Sequence, residues 1–265
     1  MIATTGAGIA AFPIWFMITS AFKAESEVQA IPLHLLPHHF QGFAQFRQAA
    51  EIAPLWRYFL NSWIYSVSHV AVTVFFGALA GFGFAKYRFP GRTVLFLAVL
   101  STIMVPFQVL VVPLFIEVKW LGWENSYAGL IIPGMMNAFG VFMMRQYASD
   151  LPDELIEAAR VDGAGEFHIF LRIALPLLLP ALASLAIIVF IWAWGNFLWP
   201  LVIVQDKDLN VLSVGMTSYS QPYQREPMWG AAMAASTVAT LPIAALFVFF
   251  QRYFVKGLTA AAVKG

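Results

Sequence analysis

Cysteine is absent from the 265 residues, which excludes disulfide staples, thiolate nucleophiles and cysteine-ligated metal centres. Charge is scarce: 11% of residues are Asp, Glu, Lys or Arg, and the formal net charge is +1. So few charges do not make a soluble surface, and so even a balance offers nucleic acid no basic face. No glycine-rich loop followed by lysine occurs, so nucleotide hydrolysis of that type belongs elsewhere. Paired carboxylates, histidine clusters and nucleophile triads at workable spacing are missing too, which leaves no ground for an enzyme.

What is present is apolar. Sixty per cent of residues are hydrophobic, and the charges bound six charge-free intervals at 1–22, 58–85, 93–116, 125–144, 173–205 and 227–251. Each can cross a bilayer, for which about 20 residues of helix suffice. A seventh interval, 28–46, carries His34, His38, His39, Pro32 and Pro37 and reads as an extracytoplasmic loop. The six runs lack the strict alternation of barrel strands, and backbone polar groups in hydrocarbon must be satisfied within a helix or a closed barrel. The expected fold class is therefore an all-α membrane protein of six transmembrane helices, near 3–22, 59–85, 93–116, 127–146, 177–203 and 229–252. One transmembrane domain covers 1–265, with external loops about 23–58 and 204–228. No cation precedes the first apolar run, so it matches a secretory signal poorly and is expected to be retained as a helix.

Cations set the orientation. With both termini cytoplasmic, Lys86, Arg88, Arg92, Arg145, Arg160, Arg172, Arg252, Lys256 and Lys264 lie inside, against Lys23, Arg47, Arg57, Lys119, Lys207 and Arg225 outside. The bias is modest, and the connector from Lys86 to Arg92 is the clearest inside anchor. It places the polar loop around Glu157 on the same side two spans later.

That loop has a built start and stop. Winding Asp153 to Asp162 at 100° per residue sets Leu155, Ile156, Ala158 and Ala159 opposite Asp153, Glu154, Glu157 and Arg160. Pro152 suits the first helical turn, Asp153 and Glu154 complement the positive end of the dipole, and Gly163 can adopt the left-handed conformation that closes a helix. Small Ala158 and Ala159 would let a partner approach the backbone, while Leu175-Pro176 keeps this helix from running smoothly into the next span. Amphipathicity alone fits either a docking surface or a linker at the membrane surface.

The spacing decides between them. Glu157-Ala158-Ala159, three residues, Gly163, nine more, then Ile173-Ala174-Leu175-Pro176 resembles the EAA loop of ATP-binding-cassette import permeases. The connector Tyr87-Arg88-Phe89-Pro90-Gly91-Arg92, the opening Leu151-Pro152-Asp153-Glu154-Leu155 and the tail from Gln251 to Gly265 look closest to the second permease subunit of carbohydrate importers of the maltose type. Ala261 stands in the tail where a glycine is common. The resemblance covers most of the chain. It implies a type I importer permease in the cytoplasmic (inner) membrane, with a coupling helix about 152–163. Glu157, Ala158, Ala159, Asp162, Gly163, Leu175 and Pro176 are its expected coupling residues. Implied partners are a homologous second permease, two cassette ATPases and an extracytoplasmic or lipid-anchored binding protein. ATP and Mg would sit on the ATPases, and this chain would bind no cofactor or metal. The tail would reach toward the ATPase, although Arg252 and Lys256 also suit an anchor at lipid phosphates.

Candidate pathway residues are Trp192, Trp194, Asn196, Asn61 and Asn137. Sugar rings stack on aromatic faces and bond to amides, whereas tryptophans also gather at bilayer interfaces. Relatives usually carry asparagine directly after the second of these tryptophans, and here Gly195 intervenes. Ser62, Ser66, Ser68, His69 and Thr73 punctuate the second span, where pathway contacts and ordinary interhelical hydrogen bonds are both open. Ser213, Gly215, Tyr219 and Gln221 are expected to face the binding protein. An importer of glycerol-3-phosphate shares the permease pattern. An ion-coupled secondary transporter is disfavoured because only His69 puts an ionisable group within a span.

Overall fold

Proline decides where the expected spans bend. The computed structural model describes residues 2–220 and 228–262, with side chains over 4–219 and 228–250. Among the described residues, two helices are long and apolar enough to cross a membrane unaided, Leu55–Lys86 and Trp229–Phe250, the latter within a helix that continues to Ala262. Three more candidates are bent pairs. Arg92–Met104 meets Phe107–Trp120 at 99°, Tyr127–Gly134 meets Ala138–Ser149 at 46°, and Glu166–Leu177 meets Leu179–Trp194 at 79°. With the 19-residue apolar helix Ile2–Ser20 the arrangement agrees with six spans, and no strand occurs among the described residues.

The breaks after Met104 and Gly134 correct continuous helices expected from hydropathy, the bend at Leu178 falls where Leu175-Pro176 is expected to interrupt the chain, and the expected helix 177–203 is itself parted between Trp194 and Leu198. Each bend has a local cause. Pro106 lacks an N–H and drives Val105 into extended backbone (ψ 114°). Just before it, the Ser101 and Thr102 hydroxyls donate back to the Ala98 and Val99 carbonyls at 2.8 and 2.7 Å, the side-chain-to-backbone bonding that favours a bend. Pro133 opens the 3-10 turn Ile132–Gly134. Asn137 then restarts the helix as an N-cap, its Oδ1 accepting from Gly140 N at 3.0 Å. In the fifth candidate span a π-helical segment, Phe170–Ala174, precedes Pro176, and Pro180 opens the next helix after the bend at Leu178.

The chain falls into two compact units, Met1–Ser62 with Asp206–Ala245 and Trp63–Gln205 with Leu246–Gly265. In the first, charge is buried by pairing. Lys23 is fully buried, and its Nζ donates to Ser20 Oγ (3.1 Å) and the His34 carbonyl (2.7 Å) while lying 4.4 Å from the centre of the Phe16 ring. The Glu27 carboxylate accepts from His38 N and His39 N, organising the loop expected from Pro32, Pro37 and the histidines. The Glu25 carboxylate accepts from Trp229 N (2.6 Å) and Gly230 N (2.9 Å), a negative charge at the positive end of the last helix.

In the second unit, Phe82, Met144, Ala148, Ile156, Ala159, Ile169, Phe170, Ala174 and Leu185 form one buried cluster. It joins the Lys86 end of the second span, the Ala138–Ser149 helix and the Asp153–Val161 helix. Ile156 at 4% exposure contributes about 2 kcal/mol by leaving water. The polar loop is therefore rooted in the same core as the spans.

Candidate coupling surface and solute cavity

The helix Asp153–Val161 has its expected start and stop. Pro152 stands at the N-cap position in extended backbone, Asp153 and Glu154 fill the first turn, and Gly163 adopts φ +83°. Gly163 N donates to Arg160 O (3.0 Å) and Ala164 N to Ala159 O (2.9 Å), closing the helix end. Its buried stripe is narrower than the helical wheel suggests. Ile156 and Ala159 are buried, while Leu155 is 45% exposed and Ala158 is exposed beside Glu157. The grouping of all four apolar residues on one buried side is thus corrected, because a helix this short meets the core along one i, i+3 line. Glu157, Ala158, Asp162 and Gly163 face outward, and Ala159 packs within the chain. Leu175 and Pro176 lie beyond, on the helix leading to the 79° bend.

Ionic contacts pin the opposite edge. Lys86 Nζ, on a side chain only 5% exposed, donates to the Leu151 carbonyl (2.5 Å) and Asp153 Oδ1 (2.6 Å). Arg160 pairs with Glu166 through two bonds of 2.7 and 3.1 Å, and its guanidinium lies 5.6 Å from the centre of the Tyr87 ring, whose hydroxyl donates to Glu166. The connector after the second span is thereby tied to both ends of the loop. The Lys86 bond holds the Asp153 carboxyl below its ordinary range, and the Arg160 bond does the same for Glu166. Burial and the adjacent Glu166 push the Tyr87 phenol up.

Because both carboxyl pKa values are depressed on folding, the contribution is complete above the ordinary carboxylate range. It is lost as pH falls below about 4. Amide protection over 153–166, followed by hydrogen exchange against pH, is expected to hold at neutral pH and to drop below that range ahead of the spans. Exposed pairs are individually weak, so local release is expected, not global unfolding.

A cavity of about 600 Å³ opens within the second unit, a size suited to a small solute. Its wall includes Trp192, Asn196 and Asn137 of the five sequence candidates, together with Tyr65, His69, Thr73, Thr102, Phe107, Phe139 and Trp199. Trp192 is 51% exposed and meets Phe139 edge to face at 5.1 Å. Asn196 Nδ2 donates to Tyr65 Oη at 2.9 Å.

Two candidates lie elsewhere. Trp194 is buried, stacked on Phe190 at 5.5 Å with Trp63 at its edge, because a helical step of two residues turns it away from Trp192. Asn61 is buried, and its Nδ2 donates to the Asp208 and Asn210 carbonyls at 2.9 Å each, anchoring the 204–228 loop. Sequence reasoning missed Tyr65 and left His69 and Thr73 unassigned. Their spacing of four places them on one face of the Leu55–Lys86 helix, a usable signal.

The expected receptor-facing residues divide similarly. Gly215 packs against the Tyr58 ring, where an added Cβ would meet Cδ2 at 2.1 Å. Tyr219 is buried, donating its hydroxyl to the Ala49 carbonyl at 2.8 Å. Both turn inward, correcting the expectation that this polar segment is all surface: short helices at Leu212–Gly215 and Thr217–Ser220 give it an inner side. Ser213 is half-buried, the exposed positions are Gln205 to Asp208 and Thr217, and Gln221 lies outside the described residues.

Comparison with known proteins adds four findings. The family described as binding-protein-dependent transport system inner membrane component matches residues 73–260. The arabinooligosaccharides transport system permease protein AraQ of Halalkalibacterium halodurans is 38% identical over 259 residues, 97% of this chain and 92% of that protein. The sn-glycerol-3-phosphate transport system permease protein UgpE of Escherichia coli O157:H7 is 33% identical over 258 residues, covering 96% and 92%. Among solved structures, a chain of a bacterial ABC transporter involved in import of the acidic polysaccharide alginate superposes with a TM-score of 0.86 at 22% identity, covering 96% of this chain and 94% of that one. This last likeness concerns the fold alone.

Proposed function

Because this chain belongs to the family of binding-protein-dependent transport system inner membrane components, we propose that it forms half of the translocation pathway of an ATP-driven importer for a neutral sugar or oligosaccharide. A homologous second permease supplies the other half. Two cassette ATPases carrying ATP and Mg drive it from the cytoplasm, and an extracytoplasmic binding protein delivers the solute. Both termini are cytoplasmic, and the helix Asp153–Val161 receives the ATPase stroke.

The geometry of that helix carries the reading. Ile156 and Ala159 are embedded in the chain's own core while Glu157 and Ala158 stand free on the outer side. A force applied to the outer side is thus transmitted through packed atoms into the spans, since close-packed cores pass on displacement. Two observations favour a neutral solute: relatives are named for arabinooligosaccharides, and among the described residues no Lys, Arg, Asp or Glu lines the cavity. The glycerol-3-phosphate relatives keep a second reading in view, for which cations would have to come from the partner permease.

Reconstitution of the four-component assembly in proteoliposomes tests this. Loaded binding protein is expected to stimulate ATP hydrolysis and drive uptake of labelled arabinotriose in preference to glycerol 3-phosphate. ATP-independent uptake by this chain alone, driven by an ion gradient, overturns the importer reading. Preference for the phosphorylated solute overturns its substrate class.

A further inference from the structure

Several polar groups on the cavity wall already bond within the protein. Tyr65 Oη accepts from Asn196 Nδ2 (2.9 Å), Thr73 Oγ1 donates to the Met135 carbonyl (2.7 Å), and Thr102 Oγ1 donates to the Val99 carbonyl (2.7 Å). Asn137 Oδ1 accepts from Gly140 N (3.0 Å), and Trp199 Nε1 donates to the Gly129 and Leu130 carbonyls at 3.2 and 3.1 Å. The protein itself holds these groups in place.

His69 breaks the pattern. Its side chain is part of the wall and 7% exposed, yet Nε2 is buried with no hydrogen-bond partner among the described residues. The other two such atoms, Gln45 Oε1 and Ser66 Oγ, are not on this cavity. A buried polar atom left unpaired is costly and calls for an explanation. Close packing surrounds the ring without supplying a partner. Its Cε1 lies where a side chain on Gly134 would begin, 2.8 Å from the ideal Cβ position, and Gly134 also lines the cavity. On the other side the Tyr65 ring stands 4.5 Å away, fixing the imidazole from the helical turn before it.

We propose that His69 is a solute-contacting, specificity-determining residue of this half-channel, the hydrogen-bonding group kept open for a hydroxyl of a neutral saccharide. The inference rests on the importer reading above and deepens it. An imidazole both donates and accepts, which matches a hydroxyl. Trp192, half-exposed on the same wall, supplies an apolar face on which a pyranose or furanose ring can lie. The hydrogen bonds of Tyr65, Thr73, Asn137 and Trp199 hold the wall in shape, and His69 adds a buried polar atom that the protein leaves unpaired.

The test uses the full assembly in proteoliposomes with labelled arabinotriose and xylotriose as probes. His69→Phe keeps a planar ring without nitrogen, whereas His69→Gln restores a donor and an acceptor. Uptake of arabinotriose by H69F is expected to fall at least about tenfold, with ATP hydrolysis still stimulated by loaded binding protein. H69Q should recover to within about threefold of the parent and alter the arabinotriose-to-xylotriose ratio. Parent-like uptake by H69F overturns the proposal, as does equal loss in both variants. Should H69F not assemble, the H69Q uptake ratio decides, and an unchanged ratio counts against His69. If the parent assembly imports neither trisaccharide, the substrate reading fails first, which keeps the two failures distinct.

Discussion

Ala158→Arg is expected to leave a folded permease in the membrane and abolish solute-stimulated ATP hydrolysis, whereas Ala159→Arg should prevent folded permease from accumulating. The two residues are adjacent and chemically identical, so propensity does not separate them. Geometry does. Ala159 is 8% exposed in the cluster with Phe82, Met144, Ala148 and Ile156. A guanidinium there would be desolvated without a partner, a change that costs about 3 kcal/mol or more. Ala158 is exposed, and an arginine at that position stays in water until a partner arrives. It then obstructs close approach to the helix backbone, and the proposed ATPase contact should weaken at least about tenfold.

Membrane yield and size-exclusion behaviour read the first effect, and ATPase stimulation by loaded binding protein reads the second. Parent-like coupling in A158R would remove the outer side of this helix from the mechanism. Normal yield of A159R would mean that the loop is not rooted in the core.

Much of this was legible in the chain itself, for physical reasons that vary by residue. Charge-free runs announce spans because charge is expensive in hydrocarbon, and the ends of the helix Asp153–Val161 follow from Pro152, the first-turn acids and Gly163, whose local preferences need no tertiary information. Tertiary partners were less accessible. Helical angles place Ala158 and Ala159 together, but only the position of Phe82 and Met144 settles which one is covered. Trp192 and Trp194 read as one aromatic cluster, and the structure divides them between cavity and core. His69 looked like one polar group among several in the second span. Its distinction is an unpaired nitrogen, a property of what surrounds it.

Gly81→Ala is expected to be among the most damaging single-methyl changes in this protein, and Gly83→Ala, two residues on, to be neutral or mildly stabilising. Gly77, Gly81 and Gly83 are all small residues near the inner end of the second span, and residue type alone gives each the same capacity for close helix packing. A Cβ on Gly81 would stand 2.6 Å from Arg145 N, 2.7 Å from Met144 Cβ and 2.8 Å from Met144 C. Two of these are backbone atoms of the Ala138–Ser149 helix, which no side-chain rotation can move. The helices must separate, opening the cluster in which Met144, at 0% exposure, packs with Ile156 and Ala159. Overpacking of this kind costs about 1–3 kcal/mol, and the backbone contact places it at the upper end. The damage should reach the helix Asp153–Val161 as well, because the separated helices form its seat. At Gly83 nothing lies within 4 Å of the added methyl, and alanine is the better helix former by about 1 kcal/mol. Thermal stability of the detergent-solubilised permease should therefore fall in G81A and hold or rise in G83A, with coupled ATP hydrolysis lost only in the former. Equal behaviour of the two variants would show that the second and fourth spans do not meet at Gly81.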